Sequence, residues 1–345
     1  MNLIRKQVPV LSLIACIGLL WGLWRLTEAD VAPVTLAVSA GVPTAKPRTI
    51  RVGVTAESVR ELSLEISEPF HVRPVGSDKV LFEAPRLGAT KVTATPRGLK
   101  IGKRDFPVTR LEIDVAKSPA IWIDQHQYRG RMRLFRQSGG MVLAVNVVPL
   151  EEYIASVIDS EMPGDFPDEA RKAQAVVART YALYQMNLAG PDAVLDLYAS
   201  TRSQKYLGFQ YREPGGRLLA GESAAGRRIG ESTRGQVCTY RGKVFCTYYC
   251  AVCGGSTVQG TNVFSDAAPP LQPVKCDWCR EARLYRWTAE ISRRDAQADL
   301  EPLLRKNGTK TGALKAVSLV RTKEAGSIPE FDLRTDRQSV RVSGA

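Results

Sequence analysis

The stretch SEMPGDFPDEARKAQAVVARTYAL, Ser160–Leu183, sets a carboxylate beside a proline between two helix-forming segments. Pro163 disfavours helical geometry at Met162, so a helix entering from the N-terminal side must end at or near Glu161. The negative pole of that helix then lies beside the Glu161 side chain and works against its ionised form. A carboxyl group that keeps its proton near neutral pH is what a general acid requires. The competing reading is a solvated glutamate at a helix terminus. The following segment weighs against it: between Ala173 and Met186 the only charge is Arg179, and the rest is Ala, Val, Thr, Tyr, Leu, Met and Gln. A helix so apolar is mostly buried, and a buried Arg179 needs a carboxylate or several carbonyls as partners. Gln174 needs partners too. Both residues fit either a structural tie or the polar wall of a site.

A second set of reactive side chains lies downstream. Of the seven cysteines, Cys250 and Cys253 form one CxxC pair, and Cys276 and Cys279 another, the two separated by 22 residues. Two such pairs can supply four thiolates in a tetrahedron, a spacing that points to zinc in a reducing compartment. Outside the cytoplasm, paired cysteines are more often disulfides. Both readings stand at this level. Cys238 and Cys246 flank a turn expected at Arg241-Gly242 and could face each other across it or simply lie buried.

The compartment is decided at the N-terminus. Arg5 and Lys6 precede VPVLSLIACIGLLWGLW, 17 residues without a charge, closed by Arg25. Residues 1–31 therefore read as a membrane anchor or signal segment, with the remainder outside the cytoplasm. A single-pass N-terminal anchor in the cell membrane is the expectation. Residues 32–48, small and Pro-containing, read as a linker.

The elements that must position these side chains follow from periodicity. From residue 49 to 148 the chain alternates in short runs such as IRVGV, LSLEI, RLEIDV and RMRLF, broken by Gly, Pro, Asp and Ser, as in a region of hairpins. PLEEYIASVIDS carries apolar residues at Leu150, Tyr153, Ile154, Val157 and Ile158, a helical stripe. A second helix is expected from about Phe166 to Asn187, with Asp165 as its cap and Ala170, Ala173, Val177, Thr180, Tyr181 and Tyr184 along its apolar face. This helical core covers 149–190. After it, 191–345 reads as a strand and cysteine-rich region with one further helix near Arg294 to Lys306 and closing strands LKAVSLV and QSVRVS. The fold class is α+β: a β-rich N-terminal region packed with a small helical core and further strands, forming one domain over 49–345. With 44% apolar and 24% charged residues, disorder, collagen and coiled coil are excluded. The net charge of +13 suits an anionic partner or a generally basic, solvated surface; Lys and Arg are scattered rather than blocked.

NVVPLEEYIASVIDSEMPGDFPDEARKAQAVVARTYAL closely resembles the signature block of the stage II sporulation protein D family. The similarity continues in YRGRMRLF, in DLYASTRSQKYLGFQ (a Gln-x-Tyr-x-Gly segment at Gln204, Tyr206 and Gly208), in ESTRGQVCTYRGKVFCTYYCAVCGGSTV and in RLYRWTAEIS. The resemblance implies a lytic transglycosylase acting on peptidoglycan glycan strands, with Glu161 as its catalytic acid and base and no second catalytic carboxylate. Asp159, two residues away, points elsewhere on a helix and is not cast as a partner. Gln174, Arg179, Gln204 and Tyr206 are the implied glycan-contacting or positioning residues. Some members bind zinc through a His and cysteines, but a cysteine, Cys250, stands about where that His would be. The implied metal is therefore a structural zinc held by Cys250, Cys253, Cys276 and Cys279. The runner-up is a non-catalytic glycan-binding activator of a cell-wall amidase, since related sequences include amidase enhancers. A zinc-ribbon nucleic-acid binder is the third reading; the N-terminal anchor opposes it, and no nucleic-acid partner is expected.

Overall fold

The computed structural model describes residues 48–343, except 56, 163, 287–289, 307–311 and 321–329, and except the side chains of 303–306 and 343. The expected anchor at 1–31, most of the linker, and Pro163 lie outside the described residues. Among the described residues no helix is long and apolar enough to cross a membrane.

The alternating runs form twelve strands between Thr49 and Pro149 among the described residues: β1 (Thr49–Gly53), β2 (Glu61–Ile66), β3 (Phe70–Pro74), β4 (Phe82–Ala84), β5 (Leu87–Thr95), β6 (Gly98–Ile101), β7 (Arg104–Phe106), β8 (Arg110–Val115), β9 (Ile121–Ile123), β10 (His126–Tyr128), β11 (Arg131–Gln137) and β12 (Met141–Pro149). Two helices follow, α1 (Leu150–Glu161) and α2 (Asp168–Ala189). Then come β13 (Leu197–Tyr198), β14 (Gln210–Arg212), β15 (Leu218–Ala220), α3 (Ala224–Ser232), β16 (Thr239–Tyr240), β17 (Lys243–Val244), the single turn α4 (Gly260–Val263), α5 (Arg293–Lys306), and β18 (Leu314–Val320), β19 (Glu330–Thr335) and β20 (Ser339–Ser343). The class is α+β.

One sheet runs β13-β1-β12-β11-β8-β3-β4 and a second runs β15-β14-β10-β9-β2-β5-β6-β7. Side chains alternate across a strand, so each sheet turns one face toward a shared core. In β11, Met132 and Leu134 are fully buried while Arg131 and Arg133 point to the other side. Ile50, Val52, Leu64, Val92, Leu111, Ile113 and Ala144 join them in that core, and Tyr153, Ile154, Val157 and Ile158 of α1 extend it. A chain of antiparallel hairpins thus ends in the long central strand β12, whose last residue, Pro149, leads into α1.

Three details differ from the sequence expectation. Asp165 does not cap α2: the N-cap is Pro167, whose carbonyl accepts from Arg171 N. The buried stripe of α2 keeps Thr180 and Tyr181 of the expected face but is otherwise shifted. Arg171, Ala175, Ala178, Arg179 and Ala182 are buried, whereas Ala173 is exposed. Finally, α3 stands where loops and strands were expected. Its two internal glycines, Gly226 and Gly230, hide it from propensity, but they allow close packing: a Cβ on Gly226 would collide with the Asp159 carboxylate. Ser223 supplies its cap, accepting from Gly226 N at 2.9 Å.

Candidate functional site

Glu161 is the last residue of α1. Met162 leaves the helix in extended geometry (φ −127°, ψ 126°) while its N–H still reaches Ile158 O. The carboxylate opens into a cleft of about 370 Å³ that it shares with Ser203, Lys205, Thr247, Tyr248, Tyr249 and Phe264 among others. Among the described residues that line this cleft, Glu161 is the single carboxylate. Glu161 Oε1 accepts the Lys205 backbone N–H at 2.8 Å, a donor the helix-end argument did not anticipate. Tyr249 stands beside it. Burial first, then the charge of Glu161, pushes the Tyr249 phenol above its ordinary range, so it stays a neutral donor. Gln204 joins this network from behind, donating to Tyr249 Oη at 3.4 Å and accepting from Tyr153 Oη at 3.0 Å.

Part of the cleft lining is aromatic. Tyr248 and Phe264 stack face to face with ring centroids 3.5 Å apart. Asp266 fixes the pair, accepting from Tyr248 Oη at 2.6 Å and Tyr184 Oη at 3.2 Å. A cleft lined by a carboxylate, hydroxyls and aromatic rings suits a hydroxyl-rich ligand with apolar ring faces.

The other expected site residues fall elsewhere. Arg179 is 1% exposed; it bonds Glu151 Oε1 at 3.0 Å and Oε2 at 2.7 Å, Gly230 O at 3.1 Å and Gln236 O at 3.2 Å. It ties helices together and does not reach the cleft. Tyr206 is 3% exposed, packs against Tyr153 and Tyr128, and donates to Asn146 Oδ1 at 2.9 Å, so glycan contact is replaced by a place in the core. Gln204, 1% exposed, braces Tyr249 rather than meeting solvent. Gln174 is half-buried on α2, does not line the cleft, and its Nε2 finds no partner among the described residues. The Gln-x-Tyr-x-Gly segment is thus bracing: Gly208, at φ +75°, lets the chain approach Gln127 O, where any Cβ would collide. Asp159 points away from the cleft to Arg171 Nη2 and Ser223 N, as its position on the helix requires. Lys205, Tyr249 and the Tyr248–Phe264 pair were missed; the adjacent tyrosines of FCTYYC were the available signal.

Three of the four expected zinc ligands come together. The sulfurs of Cys253, Cys276 and Cys279 lie within 4.8 Å of one another, with Cys253–Cys279 at 3.6 Å and Cys276–Cys279 at 3.9 Å. Zn–S bonds of about 2.3 Å in a tetrahedron place sulfurs about 3.8 Å apart, so the trio fits zinc. Cys250 is exposed and outside the group. All six described cysteines are free thiols, including Cys238 and Cys246, and the expected turn at Arg241-Gly242 joins β16 to β17.

Residues 138–240, which span α1, α2, Glu161 and α3, match the family model described as Stage II sporulation protein. That stretch of the chain is similar to the stage II sporulation protein D family. Stage II sporulation protein D of Bacillus amyloliquefaciens is 29% identical over 161 residues, 43% of this chain and 44% of that protein. An uncharacterized protein of Brachyspira hyodysenteriae is 35% identical over 174 residues, covering 50% of this chain and 44% of its own length. The amidase enhancer of Bacillus subtilis is 25% identical over 221 residues, 64% of this chain and 28% of that protein. The chain spans less than half the length of these three relatives. The family match covers the helices that carry and support Glu161 but stops short of Tyr249 and the cysteine trio.

Proposed function

We propose that this protein is a peptidoglycan lytic transglycosylase that cleaves the MurNAc–GlcNAc bond of glycan strands with Glu161 as the sole acid and base. The observation that carries this reading is the single carboxylate of the cleft. Hydrolytic glycosidases use two carboxyl groups, one as acid and one as base or nucleophile. A lytic reaction needs only one. Glu161 first gives its proton to the leaving glycosidic oxygen as the bond breaks. As carboxylate it then removes the proton of the same sugar's 6-hydroxyl, whose oxygen closes on the oxocarbenium-like carbon to form the anhydro ring. The Lys205 N–H holds the carboxylate in place between the two steps, and the neutral Tyr249 hydroxyl supplies a further donor beside it. The Tyr248–Phe264 wall offers a stacking surface for a sugar ring.

Zinc belongs to this proposal as a structural ion held by Cys253, Cys276 and Cys279, with no part in the chemistry. A membrane anchor at the N-terminus would keep the cleft against the wall. The deciding experiment is a digest of purified peptidoglycan analysed by mass spectrometry. Wild type should release anhydro-ended muropeptides, and Glu161→Gln, with an unchanged melting temperature, should release about 10²-fold fewer or none. Equal product from the variant refutes the assignment. A second reading has its own support in the amidase enhancer relative: a glycan-binding module that stimulates a wall amidase. Glycan binding without anhydro product, together with faster turnover by an added amidase, would favour it.

A further inference from the structure

The face of the first sheet that turns away from the core carries an array of arginines set by strand register. Arg133 of β11 lies opposite Glu112 of β8, and Glu112 lies opposite Arg73 of β3. Arg131, two residues before Arg133, shares that face, and Val147 links it across β12 to Arg51. Glu112, 3% exposed, is met by all three neighbouring guanidiniums: Arg73 Nη2 at 2.7 Å, Arg133 Nε at 2.7 Å and Arg131 Nη1 at 3.3 Å. Arg51 is spent differently, on Asp196 and on the carbonyls of Gly190, Pro191 and Ala193.

Glu112, even with Asp114 3.6 Å from Arg73, cannot neutralise three arginines. Counting Arg48, Arg51, Arg73, Arg131 and Arg133 against Glu112, Asp114 and Asp196, the cluster keeps a surplus of two positive charges. The surplus is also aimed. Glu112 engages Arg133 through Nε, so its two terminal nitrogens donate to nothing among the described residues; the same holds for Nε and Nη2 of Arg131 and for the Arg48 side chain. Arg48, Arg51, Arg131 and Arg133 line one groove of about 570 Å³ in which Asp196 is the only carboxylate among the described lining residues. The arginines on Glu112 are partly buried, with side-chain exposures of 21%, 35% and 22% for Arg73, Arg131 and Arg133, so their forks are held rather than waving in solvent.

Held forks with spare donors match the oxygens of a tetrahedral anion better than bulk water does. We propose that this groove binds a phosphate ester, with the free edges of Arg131 and Arg133 and the Arg48 guanidinium as its donors. The groove shares no lining residue with the Glu161 cleft, so the proposal stands apart from the glycan-cleaving reading. The phosphate could come from a lipid headgroup or from a repeating phosphate polymer; the chemistry is the same.

The test is a calorimetric titration of the full chain, in non-ionic detergent, with glycerol 3-phosphate. Saturable binding that weakens steeply with salt is expected. Arg131→Gln/Arg133→Gln should weaken it about tenfold or more. Arg48→Gln, at a position with no side-chain partner to lose among the described residues, should weaken it about threefold with an unchanged melting temperature, which keeps the test sound if the double variant misfolds. Glycerophosphoglycerol competing better than poly(glycerol phosphate) per phosphate would assign the headgroup, and the reverse order would assign the polymer. No saturable binding, or affinity unchanged in Arg48→Gln and the double variant alike, overturns the proposal.

Discussion

At the scale of single residues, the carboxylate is served by groups far from it in the chain: Lys205 lies 44 residues downstream, and Tyr249 twice as far. Below that constellation sits Cys246, fully buried, a thiol whose titration offers a clean check on the packing behind the cleft. Burial raises its pKa from 9.0 to about 11. The native state therefore keeps this proton after the unfolded chain has begun to release it. Stability contributed by the neutral thiol is complete below pH 9 and falls as pH rises from 9 toward 11. Denaturant titrations of wild type should lose more stability across that window than those of Cys246→Ala, which has no group to titrate there. Parallel slopes for the two proteins would mean that the thiol is already solvated in the folded state.

At the scale of elements, two buried arginines of α2 tie both ends of α1, the helix that carries Glu161, to their neighbours. Arg171 holds Asp159, and Arg179 holds Glu151, Gly230 O and Gln236 O, so α1, α3 and the segment between α3 and β16 meet on α2. Arg179→Ala leaves the half-buried Glu151 carboxylate and the Gln236 carbonyl without a donor among the described residues, while Gly230 O keeps Thr233. A loss of about 3–5 kcal/mol is expected in urea unfolding. Adding Glu151→Gln should recover part of it, since the orphaned charge is gone, and an equal loss in the double variant would argue against an ion pair at this position. The need for such a partner was readable from a charge in an apolar helix. So were the strands before β12 and the end of α1, because alternation and caps are local signals. The identity of Arg179's partner was not, nor was α3, whose glycines mask a helix stabilised by close approach to Asp159. Gln204 and Tyr206 looked like ligand contacts because polar residues in a motif carry no mark of burial; packing on Tyr153 and Asn146 decides their role.

At the scale of the whole molecule, the main core draws on residues from Ile50 to Tyr248, and nothing beyond Tyr248 enters it among the described residues. The cysteine region therefore depends on its own ties. Cys276 N donates to Gly255 O and Thr257 N to Val274 O, pairing the two cysteine segments as the stems of one long loop. That loop carries Phe264 and Asp266 to the cleft wall, while Glu161, Lys205 and Tyr249 precede it. A metal at Cys253, Cys276 and Cys279 would thus hold the aromatic wall without touching the acid. Elemental analysis of protein purified under reducing conditions should find about one zinc per chain, lost in Cys279→Ser. Removing the metal should leave the far-ultraviolet circular dichroism of the main core in place and raise KM for glycan severalfold, with a smaller change in kcat, because the wall loosens while the carboxylate keeps its donors. A metal-free Cys279→Ser protein with unaltered KM would separate the cysteine trio from the cleft, and zinc retained at full stoichiometry in that variant would place the metal elsewhere in the chain.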